Sequence, residues 1–151
     1  MVKNDTNKHT NTDQLLEMLQ DTHSLQHFLD DHEIDFLSMS LPQYLSLLLE
    51  RHQLTKQEVF TASNLDRSLA YQIFSGYRQP SRNALISIAI GMHLTLPETQ
   101  RLLKIAQRGE LYPKNRRDAA ILFAIFHKMN IVQTELLLDS IGEPCLNRNL
   151  G

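Results

Sequence analysis

Cysteine and tryptophan are nearly absent from this sequence: among 151 residues there is one cysteine, Cys145, and no tryptophan. A lone cysteine excludes an intramolecular disulfide and leaves no ligand set for a thiol-rich metal site. Glycine and proline number 5 each, which is too few for a disordered or repetitive chain. No apolar run approaches the roughly 18 residues of a membrane span, and the polar N-terminal stretch lacks the apolar core of a signal peptide. These absences predict a cytoplasmic protein that makes no membrane contact.

The net charge of −2 conceals a strongly uneven distribution of charged residues. Residues 1–50 carry two lysines against nine acids, whereas residues 51–117 carry eleven cations against four acids. The basic middle is typical of a nucleic-acid-binding surface, although an ordinary solvated surface is the alternative. The acidic first segment has two interpretations. It either packs an apolar stripe onto the domain, or it engages the basic surface and competes with DNA.

Helix signals recur along the chain, whereas strand signals are weak, since no Asn-Gly or Asp-Gly hairpin turn and no clean alternation occurs. We therefore predict an all-α fold. An acidic N-terminal helical arm occupies 1–38, a five-helix domain 39–109 and a C-terminal helical hairpin 110–151. Apolar residues at helical spacing also run through the arm, over 12–30. The predicted helices of the domain and hairpin are 42–52, 55–63, 66–75, 81–91, 96–107, 115–129 and 131–141.

Capping residues set most of these boundaries. Thr55-Lys-Gln-Glu58 and Thr95-Leu-Pro-Glu98 each place a hydroxyl three residues before a carboxylate, which is the pattern of a capping box. Asp66 and Ser81 are favourable N-cap residues for two further helices. Two glycines are expected to end helices by adopting left-handed geometry, Gly76 and Gly91.

The stretch from 54 to 81 combines two capped helices with a tight turn. Asn64 lies at the turn and tolerates the left-handed conformation that such turns require. Leu65 is expected to fill the core beneath the turn. The second helix buries one side, formed by Ala70, Ile73 and Phe74. A helix-turn-helix consists of a first helix, a tight turn and a second helix with an exposed N-terminal end.

This stretch resembles the lambda-repressor-like, or Cro/CI-type (XRE), helix-turn-helix family. It follows the family pattern of a capped helix, an Asn turn, an apolar plug, a recognition helix and a closing Ser-Gly, basic residue and Pro-Ser. The resemblance extends over about 41–107. It implies a five-helix lambda-repressor-like domain that binds double-stranded DNA as a homodimer. The implied function is that of a sequence-specific transcriptional regulator, a repressor, without a cofactor and without enzymatic activity.

The resemblance also implies two sets of DNA-contacting residues. At the recognition positions, arginine can pair with guanine, glutamine with adenine, and leucine can touch a thymine methyl group. The implied base contacts are Arg67, Ser68, Leu69, Tyr71 and Gln72. The implied backbone contacts are Lys56, Tyr77, Arg78 and Arg82.

Three positions depart from the family pattern: Phe60 and Tyr71 are larger than usual, and Ser63 replaces a common leucine. The two motif helices are therefore expected to pack differently, or Tyr71 to enter a groove. The alternative function is a non-DNA-binding adaptor that uses the helical domain and tail to bind another protein. Residues 112–141 have three interpretations: completion of the core, a homodimer seam, or a surface for a protein partner. The apolar run 119–126 is expected to be buried.

Other chemistry receives little support from the sequence. His23 and His27 are spaced as zinc ligands on one helix face can be, but the interpretation we favour is an ordinary polar helix face. No His-Glu-x-x-His pattern and no Gly-rich phosphate loop occurs. We therefore expect neither a metal site nor an enzyme.

Overall fold

The computed structural model describes residues 11–21, 23–26, 29 and 39–147. The described part contains eight α-helices and no β-strand, so the predicted all-α class is confirmed. The chain divides after residue 38 into two compact units. None of the described helices has the length and apolar character that a membrane crossing requires. The helices are α1 (Thr12–Asp21), α2 (Leu41–His52), α3 (Lys56–Ser63), α4 (Arg67–Ser75), α5 (Arg82–Met92), α6 (Leu96–Ile105), α7 (Arg116–Phe126) and α8 (Ile131–Ser140).

The first unit is described through α1 and a few residues that follow it. Asn11 caps α1, because its side-chain oxygen accepts the N–H of Gln14 at 2.9 Å. No residue of α1 is buried, and its stripe of large apolar side chains is exposed at Leu16, Met18 and Leu19. The remainder of the predicted acidic arm lies outside the described residues.

Side-chain caps begin the four helices of the second unit for which the sequence predicts them. Thr55 and Glu58 form the predicted capping box, with the two reciprocal hydrogen bonds at 3.1 and 2.9 Å. Thr95 and Glu98 form the second box. Asp66 caps α4 and Ser81 caps α5. Each cap is worth about 1 kcal/mol, so these local interactions define where the helices begin.

The helix ends contain one correction to the sequence-based expectations. Asn64 and Gly76 adopt left-handed geometry at the ends of α3 and α4, as predicted. Gly91, however, lies inside α5, and His93 adopts the left-handed conformation that ends this helix. A β-carbon at Gly91 would lie 2.5 Å from Ser63 Oγ. Gly91 is therefore required for the close approach of α3 to α5 and does not end a helix.

The central helix of the second unit is α5, which packs against α3, α6 and α8. Its buried side chains surround the helix and include Leu85, Ile86, Ile88 and Ile90. Helix α2 packs against α4 and α6, and α7 packs against α6 and α8. Because α5 is buried on nearly all sides, it serves as the scaffold on which the other helices are positioned.

The core continues beyond residue 109, where a boundary between domain and hairpin was predicted. Ile121, Ala124 and Leu138 are fully buried and belong to the same apolar cluster as α5. Core completion is thus one role of the hairpin. The run 119–126 is nevertheless buried on one side only, because Phe123 and Phe126 remain exposed.

Two buried carboxylates link distant helices. Arg82 binds both oxygens of Asp118, at 3.0 and 2.9 Å, and so joins α5 to α7. Burial of Asp118 would raise its pKa, but hydrogen bonds from Arg82 and the Tyr112 N–H outweigh this effect and hold the pKa below its usual value. Likewise, burial opposes ionisation of Glu98, yet its hydrogen bonds, including that from Arg51, lower its pKa.

Candidate nucleic-acid interface

The candidate interface is built on α3, the following turn and α4, here called the α3–α4 segment (residues 55–78). Asn64 ends α3 with φ 54° and ψ 36°, which turns the chain sharply. Asp66 then begins α4 by accepting the N–H of Leu69 at 3.1 Å. Leu65 is half-buried against the core. The turn and caps thus have the roles that the sequence predicts.

An aromatic cluster holds the two helices of the α3–α4 segment together. The buried ring of Phe60 in α3 meets Tyr71 edge-on, with ring centroids 4.8 Å apart. Phe60 also meets Phe74 in a second edge contact at 5.3 Å. Such aromatic pairs contribute about 1 kcal/mol beyond their burial. The two enlarged residues noted in the sequence, Phe60 and Tyr71, therefore compensate for each other by direct contact.

The third unusual residue, Ser63, lies where α3 crosses α5. Its side chain is completely buried, and its Oγ has no hydrogen-bond partner among the described residues. The space beside it is kept free by Gly91. A leucine at 63 would not fit this crossing, so the small residues Ser63 and Gly91 belong together.

The five residues implied as base contacts differ in accessibility. Arg67 and Ser68 are exposed in the first turn of α4, and Tyr71 is half exposed one turn later. Leu69 and Gln72 are half-buried, and Leu69 packs against the core. The opposite side of α4 is buried through Ala70, Ile73 and Phe74, as predicted.

The four residues implied as backbone contacts do not share one environment. Lys56 is exposed at the first position of α3, and Tyr77 and Arg78 are exposed in the loop after α4. The N–H groups of Tyr77 and Arg78 both donate to the Gln72 carbonyl, which fixes this loop. Arg82 instead uses most of its N–H groups on Asp118 and on two backbone carbonyls. Arg82 thus has little capacity left for a phosphate.

Many cations of the basic middle are likewise engaged inside the second unit. Arg51 pairs with Glu98, and Arg101 lies over the ring of Tyr44 at 5.6 Å. Arg108 donates to the Pro80 carbonyl, and Arg117 donates to carbonyls of the C-terminal tail. Within the described residues, the exposed cations of the α3–α4 segment form no ion pair: Lys56, Arg67 and Arg78. The cationic surface is therefore smaller than the sequence suggests.

The C-terminal tail contacts the turn between α3 and α4, which sequence reasoning did not anticipate. The carboxylate of Glu135 accepts the N–H groups of Leu146 and Asn147, at 2.7 and 3.0 Å. The Asn147 side chain in turn donates to the carbonyl of Asn64. No local pattern signals a contact between residues so far apart in sequence. The turn is consequently supported by the end of the hairpin.

The possible zinc ligands noted in the sequence are only partly described. His23 belongs to the described residues, whereas His27 lies outside them. Among the residues that the structure describes, no three His, Cys, Asp or Glu side chains are grouped as a metal site requires.

No protein-family model, curated protein or solved structure matches this chain. The functional inference therefore depends on the residues and geometry of the α3–α4 segment.

Proposed function

We propose that the chain is a sequence-specific DNA-binding transcriptional regulator, a repressor, that reads the major groove with α4. In this proposal α2–α6 form a five-helix domain of the lambda-repressor type. The observation that carries it is the two-sided character of α4. One side is buried in the core, and the N-terminal end presents Arg67 and Ser68 to solvent. A helix that reads bases needs such an anchored inner side and a free N-terminal end.

The chemistry of the exposed residues suits the proposed roles. The Arg67 guanidinium can donate two hydrogen bonds to guanine O6 and N7, which is the most common specific contact in the major groove. Ser68 and Tyr71 offer hydroxyl groups beside it. Lys56, Tyr77 and Arg78 can bind phosphate oxygens, which orient the protein on the duplex. Leu69 and Gln72 contribute less in this proposal, because the core covers part of each side chain.

The proposed homodimer predicts a moderate dependence of DNA binding on salt. If Lys56 and Arg78 of two protomers neutralise about four phosphates, affinity should fall roughly 150-fold between about 50 and about 200 mM salt. The measurement is fluorescence anisotropy on duplexes selected from a random-sequence pool. Absence of binding at low salt would contradict the proposed function and would favour the adaptor.

Two substitutions separate base reading from backbone binding. Arg67→Ala should weaken binding to the selected duplex by about 1–3 kcal/mol per half-site and relax the preference at one base pair of each half-site. Arg78→Ala removes one phosphate contact from each protomer, so it should weaken binding to all duplexes similarly and reduce the salt slope by about 1.8. Lys104→Ala is the control, because this exposed lysine lies at the end of α6. Identical effects of Arg67→Ala and Arg78→Ala would show that the two roles are wrongly assigned.

A further inference from the structure

Helices α7 and α8 carry a stripe of large apolar side chains that faces solvent. Phe123 and Phe126 of α7 are 47% and 64% exposed, and Val132 and Leu136 of α8 are 57% and 65% exposed. Spacings of three and four residues place each pair on one side of its helix. The inner sides of both helices are buried in the core through residues such as Ile121 and Leu138. The exposed set of four, here called the apolar stripe, is thus the outer side of the hairpin.

Charged residues are confined to the ends of this surface. Lys128 follows α7 at the connection between the helices, and Asp139 lies in the last turn of α8. Both are exposed. From 118 to 126 and from 131 to 138, the exposed positions are the four stripe residues and Gln133, none of which is charged. Arg116 at the start of α7 lies at the same end as Asp139, since it donates to the Ile141 carbonyl, but it pairs with Glu143 at 3.4 Å. The hairpin therefore has a positive end at Lys128, an apolar centre and a second end at which Asp139 adds a negative charge to this pair.

The hairpin reaches the α3–α4 segment through its C-terminal tail, where the Asn147 side chain donates to the Asn64 carbonyl. The hairpin contacts the rest of the unit mainly through α5 and α6, whereas the principal partner of α4 is α2. The four stripe residues belong to α7 and α8 and Arg67 to α4, so the stripe and the proposed base-reading end share no residue.

We propose that a second copy of this chain covers the apolar stripe. The two copies are related by a two-fold axis, with α8 antiparallel to α8 of the partner subunit. This arrangement places Lys128 near Asp139 of the partner subunit, and by symmetry it makes the same pairing twice. A parallel arrangement would instead bring like charges together. Charge complementarity thus selects both the occupant and its orientation.

The size of the stripe indicates a weak dimer. Each helix is about 15 Å long, and two helices packed about 10 Å apart present roughly 300 Å² of projected surface. Stable interfaces usually bury about 800 Å² per partner, so we expect a weak, reversible dimer. The dimer supplies the interface of the homodimer in the proposed function. Its part in DNA binding therefore rests on that function. Dimerisation is tested without DNA, so dimerisation through the stripe and DNA binding can fail separately.

The test is sedimentation velocity of the full chain over about a hundredfold range of concentration, from about 1 to about 100 μM, where weak association is populated. The unmodified chain should show a reversible monomer–dimer equilibrium. Leu136→Glu places a charge in the apolar centre and should weaken dimerisation at least tenfold. Leu16→Glu is the matched control, because Leu16 is a similarly exposed leucine outside the hairpin, and it should leave dimerisation unchanged. Circular dichroism establishes that both variants remain folded.

A charge exchange tests the antiparallel arrangement. Lys128→Asp should weaken the dimer by about threefold to tenfold, and adding Asp139→Lys should restore it. A chain that stays monomeric at the highest concentration would overturn the proposal, as would a dimer that survives Leu136→Glu. Failure of the second substitution to restore dimerisation would overturn the antiparallel arrangement.

Discussion

Gly91→Ala is expected to destabilise the second unit by about 1–3 kcal/mol, although alanine is favoured over glycine by about 1 kcal/mol in most helix interiors. The reason is the crossing of α3 and α5. A β-carbon at Gly91 would lie 2.5 Å from Ser63 Oγ and 2.9 Å from the Ser63 backbone nitrogen. The side-chain oxygen can turn away, but the backbone atom cannot, so the two helices must separate. The lost packing then outweighs the gain in helix propensity.

Thermal and urea unfolding followed by circular dichroism will measure this effect. Gly109→Ala is the matched control, because a β-carbon there would lie 3.9 Å from Arg82 Nε, which is ordinary van der Waals contact. The control should change stability by no more than about 1 kcal/mol, in the stabilising direction. Ser63→Ala combined with Gly91→Ala should recover part of the loss but not all of it, since the backbone clash remains. If Gly91→Ala proved neutral or stabilising, the close approach of α3 and α5 would be wrong.

Gly91 also shows where sequence reasoning reaches its limit in this fold. Caps such as Thr55 with Glu58 were predictable, because both partners lie within one helical turn and the pattern is local. Glycine, by contrast, serves equally well as a helix terminator and as a point of close helix contact. Which of these two roles Gly91 has depends on Ser63. Ser63 belongs to another helix and lies close to Gly91 only because of the tertiary fold.

The same distinction applies to the candidate interface. The exposed end of α4 was predictable from Asp66 and from the spacing of the buried residues behind it. The contact between Phe60 and Tyr71 was not, although both residues were noticed as unusually large. Nor did the sequence reveal that Arg82 is engaged within the unit. Its partner Asp118 lies far along the chain, and a count of charges treats paired and unpaired cations alike.

Arg82→Ala is expected to destabilise the second unit by about 3 kcal/mol near neutral pH. The substitution removes both hydrogen bonds from the guanidinium to Asp118 and those to the carbonyls of Gly109 and Glu110. It leaves a buried carboxylate that still accepts the N–H of Tyr112, at 3.0 Å. Because one partner of a buried ion pair is left behind, the cost exceeds that of losing an exposed pair. Arg116→Ala is the control, since Arg116 is 69% exposed and pairs with Glu143 at 3.4 Å, and it should cost no more than about 1 kcal/mol.

The pH dependence of this link follows from the lowered pKa of Asp118. A carboxyl group whose pKa is lower in the folded state stabilises the fold above its unfolded pKa, near 4. That contribution is lost as the pH falls through the folded-state pKa. The stability difference between the unmodified chain and Asp118→Asn should therefore be largest near neutral pH and shrink below about pH 4. A difference that stayed constant from neutral pH to about pH 2 would contradict the role of the ionised pair.

DNA binding provides the decisive comparison for Arg82, because the family resemblance assigns it to the phosphate backbone and the structure pairs it with Asp118. Measured well below the unfolding temperature, folded Arg82→Ala should retain the salt slope of the unmodified chain, whereas Arg78→Ala should reduce it by about 1.8. The expected signature is therefore a large loss of stability without a change in salt slope. If Arg82→Ala instead left stability intact and reduced the slope, Arg82 would be a DNA-contacting residue. Its hydrogen bonds to Asp118 would then contribute little to the fold.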